Sequence, residues 1–193
     1  MTLIKSISGI RGTIGGVVGE NLTPVDAVKF ASAYGTWIKQ QAQPSNPTTG
    51  KVTVVIGRDA RISGPMIHNL VMNTLLGLGI DVIDLGLSTT PTVEIAVPLE
   101  KAQGGIILTA SHNPKQWNAL KLLNHKGEFL SGADGAQILA IAEAEAFDFS
   151  EVDDLGEITI NDSYMDIHID EVLELPLVDA EAVAKRKFKV VVD

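Results

Sequence analysis

The run KVTVVIGRDARISGPMIHNLVMNTLLGLGIDVIDLG, residues 51–86, decides the fold. Its first seven residues, 51–57, are mostly apolar and β-branched, the composition of a buried strand. Pro65 then opens a segment in which Ile67, Leu70, Val71, Thr74, Leu75 and Leu78 share one side at helical spacing, closed by Gly77 and Gly79. Residues 80–86 return to a strand pattern. Strand–helix–strand with strands this apolar argues for an α/β layered sheet.

The alternation continues on both sides. Upstream, Thr23 reads as an N-cap with Pro24 at the first helical position. Ala27, Phe30, Ala31, Tyr34, Trp37 and Ile38 carry the helix to about Gln43, and PSNPTTG, 44–50, reads as a loop. Downstream, Thr90-Pro91 opens a short helix to about Lys101, followed by a strand at 105–110 and a serine-containing loop. A strand near 119–123, a turn at 125–127 and an Ala-rich helix at 132–147 complete this part. Residues 148–162 are acidic and poor in long apolar runs, which reads as a linker. Helices are expected at 164–175 and 179–186, and a strand at 187–193. The expected division is therefore a first domain at 1–150, a linker at 151–162, and the start of a second domain at 163–193. A terminal strand with no partner would leave an open sheet edge, so the second domain is expected to be truncated.

Composition narrows the function classes. The hydrophobic fraction of 45% over 193 residues supports a sizeable core, and the absence of cysteine excludes disulfides and thiolate metal sites. No apolar run approaches the ~18 residues of a membrane span, and the N-terminus lacks a signal-peptide pattern, so a soluble, cytoplasmic protein without a membrane partner is expected. Residues 1–142 hold 11 Lys/Arg against 9 Asp/Glu, whereas 143–179 hold 13 acidic residues and no basic ones. There is no basic stripe of the kind phosphate-backbone contacts require, which disfavours nucleic acid. The acidic segment is most simply a solvated helical face and linker.

Ligands of open α/β sheets gather at the carboxyl ends of strands. Arg58 and Asp59 follow the strand at 51–57, and Ser111 follows the strand at 105–110. A serine there could be a hydrolase nucleophile with His112 beside it. On extended backbone, however, adjacent side chains point to opposite sides, and no Gly-x-Ser-x-Gly turn occurs. Ser111 could instead carry phosphate, whose charge needs cations around it. Arg11, Arg58, Arg61, Lys115 and Lys121 all fall on expected loops or strand ends. The competing reading is that Arg58, Asp59 and Arg61 pair with one another and cap the helix after Ser63. Nucleotide-binding fingerprints, Gly-x-Gly-x-x-Gly or Gly-x₄-Gly-Lys-Ser/Thr, are absent.

Three motifs in order resemble one family. TASHNP, 109–114, resembles the phosphoserine loop of the α-D-phosphohexomutase superfamily, which comprises the phosphoglucomutases, phosphomannomutases and phosphoglucosamine mutases. SGIRGTIG, 8–15, resembles its N-terminal arginine loop, GRDARISG, 57–64, resembles its Gly-Arg-Asp-x-Arg segment, and Lys121 follows Ser111 at the family spacing. One departure is Asn118-Ala119 where the family often has Asn-Gly.

The resemblance implies a three-layer α/β/α first domain around a mixed sheet, at residues 1 to about 150. It implies transfer of phosphate between the 1- and 6-positions of a hexose through phospho-Ser111 and a glucose 1,6-bisphosphate-type intermediate or activator. Ser111, Lys121 and Arg11 would be catalytic. His112, Asn113, Arg58, Asp59 and Arg61 would form the phosphate loops, with Gly9 and Gly12 letting the arginine loop turn. Mg²⁺ would bind a phosphate oxygen on Ser111, its three aspartates belonging to an Asp-Gly-Asp-x-Asp-Arg run absent here. The isolated chain is expected to be inactive. A non-catalytic sugar-phosphate binder is the alternative; the choice among glucose, mannose and glucosamine stays open, and no feature fixes an oligomeric state.

Overall fold

The computed structural model describes residues 1–6, 9–41 and 50–192. Its centre is a seven-stranded mixed sheet in the order β1-β2-β6-β5-β3-β4-β7. The strands are β1 (Ile4–Ser6), β2 (Gly9–Thr13), β3 (Thr53–Arg58), β4 (Asp81–Leu87), β5 (Gly104–Leu108), β6 (Trp117–Leu123) and β7 (Ile158–Ile160). β5, β3, β4 and β7 run parallel, while β6, β2 and β1 join antiparallel.

Side-chain alternation along the strands builds the layers. Val54, Ile56, Ile106, Leu108, Leu120 and Leu122 pack with helices α1 (Pro24–Gln41), α2 (Gly64–Gly77) and α4 (Gly132–Ala144). Val55, Ile107 and Leu123 pack on the other face with α3 (Thr90–Leu99) and with Tyr164 of α5 (Tyr164–Leu173). The result is the expected α/β/α architecture. Tyr34 of α1 is fully buried and donates its hydroxyl to the carbonyls of Gly105 at 3.1 Å and Leu123 at 2.7 Å, pinning the helix to β5 and β6.

Local chemistry sets the helix starts. The Asp26 carboxylate accepts from the Thr23 backbone N–H at 3.1 Å and from its hydroxyl, while Thr23 Oγ1 accepts from the Asp26 N–H, a reciprocal cap. Ser131 and Asp134 form the same box on α4. Several expected boundaries move by one to three residues. The end of the first helix near Gln43 and most of the loop at 44–50 lie outside the described residues.

The C-terminal part departs most from expectation. The segment 151–162, expected as a linker, holds a 3₁₀ turn at Val152–Asp154 and then β7, which pairs with β4. The exposed edge of β4 supplies the reason. Val82 donates to the Glu157 carbonyl at 2.8 Å, Asn161 donates to the Asp84 carbonyl at 2.9 Å, and Asp81 accepts from the Glu157 N–H at 3.0 Å. Gly156 allows this approach, since a Cβ there would lie 1.9 Å from the Ile80 carbonyl oxygen. Beyond α5, α6 (Ala180–Arg186) forms as expected, but residues 187–192 carry no strand. A strand needs a neighbour, and none of the described residues pairs with them. No helix among the described residues is long and apolar enough to cross a membrane.

Candidate active site

β5 ends at Leu108, and the chain turns through residues 109–116 before entering β6. Thr109 Oγ1 accepts from the Ser111 N–H at 3.1 Å, and Asn113 donates to the Ala110 carbonyl at 3.0 Å. Within this tight turn Ser111 takes φ +53°, a left-handed conformation that non-glycine residues seldom occupy and that clusters at functional sites. The extended backbone expected at Ser111 is therefore not found. The serine is nonetheless exposed, and no hydrogen bond joins it to His112 among the described residues.

A cleft of ≈ 250 Å³ lies over this turn, and Ser111, His112, Asn113, Arg11 and Lys121 all line it. The sheet register explains the convergence. Arg11 on β2 stands opposite Ala119 on β6, and Lys121 follows two residues later on the same face. Arg11 thus sits in a strand rather than a loop. Gly9 is what lets β2 come so close: it has φ +117°, and a Cβ would lie 2.1 Å from the Leu120 carbonyl oxygen. Gly12 is likewise inside β2, where a Cβ would come within 2.9 Å of the Leu22 backbone nitrogen, so it serves close packing rather than a turn.

The two cleft cations are free to act on a ligand. Neither Arg11 nor Lys121 forms an ion pair among the described residues; the Lys121 ammonium rests 5.8 Å above the Phe129 ring centre. Asn118-Ala119 lies within β6 and makes no turn. Asn118 is fully buried, donates to Ser63 Oγ at 2.9 Å, and accepts from the Ala119 N–H at 2.8 Å.

Arg58, Asp59 and Arg61 do not line the cleft; they stand behind it. Arg58 donates to the Asp59 carbonyl at 3.1 Å, and Asp59 pairs with Arg61 Nε at 3.1 Å. Arg61 also reaches across to the carbonyls of the Ser111 turn. The expected pairing thus holds for Asp59 and Arg61 but is only part of what Arg61 does, and Ser63 makes no side-chain cap on α2. Lys115 is exposed and outside the cleft lining. Asp84, near Arg58, accepts from His68 Nε2 at 2.9 Å and from the Gly86 N–H at 2.8 Å. Burial pushes its carboxyl up, but these donors and the Arg58 charge outweigh burial and hold it below the usual carboxylate range.

Sequence reasoning missed Thr109, Phe129 and Asn118. Thr109 carried a signal, a hydroxyl two residues before Ser111 and able to close the turn. Phe129 carried none, because its place depends on a bridge to Leu123 across the 124–128 turn.

Residues 4–149 match the family model for the phosphoglucomutase/phosphomannomutase α/β/α domain I. The chain is 35% identical over 184 residues to a phosphoglucomutase/phosphomannomutase of Thermococcus kodakarensis, covering 94% of this chain and 38% of that protein. It is 30% identical to a phosphoglucosamine/phosphogalactosamine mutase of Sulfurisphaera tokodaii, covering 96% of this chain and 37% of the relative. A crystal structure of a phosphoglucomutase/phosphomannomutase family protein from Burkholderia thailandensis superposes with TM-score 0.68 at 23% identity, over 89% of this chain and 36% of the other. The chain thus spans less than two fifths of the length of these proteins. On the family match and the shared fold, the chain belongs to the phosphoglucomutase/phosphomannomutase family, and residues 4–149 are its α/β/α domain I.

Proposed function

We propose that this chain is the phosphate-carrying domain of a hexose-phosphate mutase, with Ser111 as the carrier. One observation carries the reading: an exposed serine in a left-handed turn shares a cleft with two cations, Arg11 and Lys121, that no acidic side chain among the described residues neutralises. A hydrolase would need a base within hydrogen-bond reach of Ser111, and among the described residues His112 makes no such bond. A phosphate carrier needs cationic surroundings and an accessible oxygen, and both are present.

In this reading a hydroxyl of a hexose monophosphate attacks the phosphorus of phospho-Ser111. The new O–P bond forms as the P–Oγ bond breaks, the sugar hydroxyl loses its proton, and Ser111 Oγ gains one. The hexose bisphosphate reorients and returns its other phosphoryl group to Ser111. Arg11 and Lys121 stabilise charge on the transferring group, and Lys121 is placed to relay the proton. His112 and Asn113 shape the wall of the cleft beside the serine. A glucose 1,6-bisphosphate-type activator would load the serine initially.

The Mg²⁺ expected from the resemblance would have one donor here, a phosphate oxygen on Ser111. Among the described residues no group of three or more His, Cys, Asp or Glu side chains could hold a metal ion, so they do not by themselves form its site. Turnover is accordingly assigned to a longer polypeptide, in which a second domain would begin beyond α5, because Tyr164 of α5 packs on the sheet of the first.

The mass of the Ser111 tryptic peptide from enzyme as isolated tests the carrier role. A phosphorylated fraction that glucose 1-phosphate removes supports it. A peptide that stays unmodified before and after bisphosphate treatment, in an enzyme that turns over, refutes it. A non-catalytic binder would bind sugar phosphate equally well with Ser111→Ala and show no turnover in either form.

A further inference from the structure

A guanidinium has five N–H donors and no acceptor. In Arg61 all five are engaged. Nε donates to Asp59 Oδ2 at 3.1 Å, Nη1 to the carbonyls of Pro114 at 2.9 Å and Trp117 at 3.1 Å, and Nη2 to those of Ser111 at 2.7 Å and Asn113 at 2.8 Å. Asp59 fixes the side chain further by accepting from the Arg61 backbone N–H at 3.0 Å. Only 12% of the Arg61 side chain is exposed.

We propose that Arg61, oriented by Asp59, is the positioning residue that holds the Ser111 turn in its working shape, and that it touches no phosphate itself. Three carbonyls of the turn and that of Trp117 at the start of β6 converge on a single cation. A trans peptide sets each carbonyl opposite the following N–H. Drawing in the carbonyls of Ser111 and Pro114 therefore turns the N–H groups of His112 and Lys115 away from Arg61. It also balances four oxygen dipoles that would otherwise raise negative potential beside the cleft. The left-handed Ser111 persists because its carbonyl is held on one side by Arg61 and its N–H on the other by Thr109. Lysine cannot substitute, since it presents three donors from a flexible stem instead of a planar fork.

The catalytic consequence rests on the phosphoserine reading, but the positioning itself does not, and the experiment separates them. Amide hydrogen exchange is measured on this chain as wild type and as Arg61→Lys. The N–H groups of Ser111, Asn113 and Trp117, each hydrogen-bonded within the turn, exchange at least ~10-fold faster in the variant, the effect of losing charge-assisted bonds. Amides of β3 and β5 keep their protection. Affinity of the chain for inorganic phosphate, by calorimetry, stays within about twofold, and transfer of phosphate from glucose 1,6-bisphosphate to Ser111 in the longer enzyme slows at least ~10-fold. Unchanged exchange at the three turn amides overturns the proposal. So does a ~10-fold loss of phosphate affinity with the turn still protected, which would make Arg61 a phosphate ligand. If wild-type Ser111 never takes phosphate while the turn still opens in Arg61→Lys, the mutase reading fails and the positioning role stands. Should Arg61→Lys lose its fold, Asp59→Asn gives a weaker form of the same pattern, and an unresponsive turn there overturns the proposal.

Discussion

Replacing Lys121 by Met keeps an unbranched side chain one atom shorter and removes its charge. Arg11 and Lys121 line the cleft, and a phosphate oxygen in direct contact with either cation puts the charges about 4 Å apart. One unit charge at ~4 Å contributes about 4 kcal/mol at an effective dielectric near 20 and about 1 kcal/mol in bulk water. Lys121 is half-buried, which puts it between these limits. Phosphate affinity of the Lys121→Met chain should therefore fall at least ~5-fold by calorimetry. The charge matters more in the transition state, so turnover of the longer enzyme should fall at least ~10²-fold. Stability should hardly change, because the ammonium interacts within the described residues through the Phe129 ring, itself 40% exposed, and such a cation–π pair is worth ~0.5–1 kcal/mol. Phosphate affinity within twofold of wild type together with near-normal turnover would refute the placement of Lys121 beside the transferring group and leave Arg11 as the principal cation.

Two further outcomes concern the scaffold. Tyr34→Phe removes the hydroxyl that donates to two buried carbonyls of the paired strands β5 and β6 and should cost ~0.5–1.5 kcal/mol in urea unfolding. Burial pushes the Tyr34 hydroxyl well above its usual range, so its contribution is full below about pH 10 and fades as pH rises beyond it; the stability of Tyr34→Phe should decline less steeply there. Asp84 is shifted the other way. Its contribution is full above about pH 4 and fades as pH falls through the lower folded value, so urea midpoints of wild type and Asp84→Asn should converge in acid.

What could be read from the sequence was the local chemistry. Thr23, Pro24 and Asp26 announce α1 because the cap lies within four residues. The β3–α2–β4 alternation is visible because each strand is apolar on both faces. The cleft residues Ser111, Arg11 and Lys121 were legible through their motifs. What depended on distant partners was not. β7 is three exposed residues, Ile-Thr-Ile, among acidic neighbours, and only the open edge of β4 makes it a strand. The role of Arg61 was hidden because its carbonyl partners lie 50 to 56 positions further along the chain. The strand expected at 187–193 is absent over its described part, 187–192, for the opposite reason, a suitable composition without a neighbour among the described residues.

The central claim is that Ser111 carries the phosphoryl group. Its most direct test is incubation of the longer enzyme with glucose 1,6-bisphosphate labelled in its phosphates, followed by digestion and mapping of the label. Label confined to the peptide containing Ser111, absent from Ser111→Ala and chased off by unlabelled glucose 1-phosphate, is the predicted result. Stable label on another residue, or equal labelling in Ser111→Ala, would contradict it.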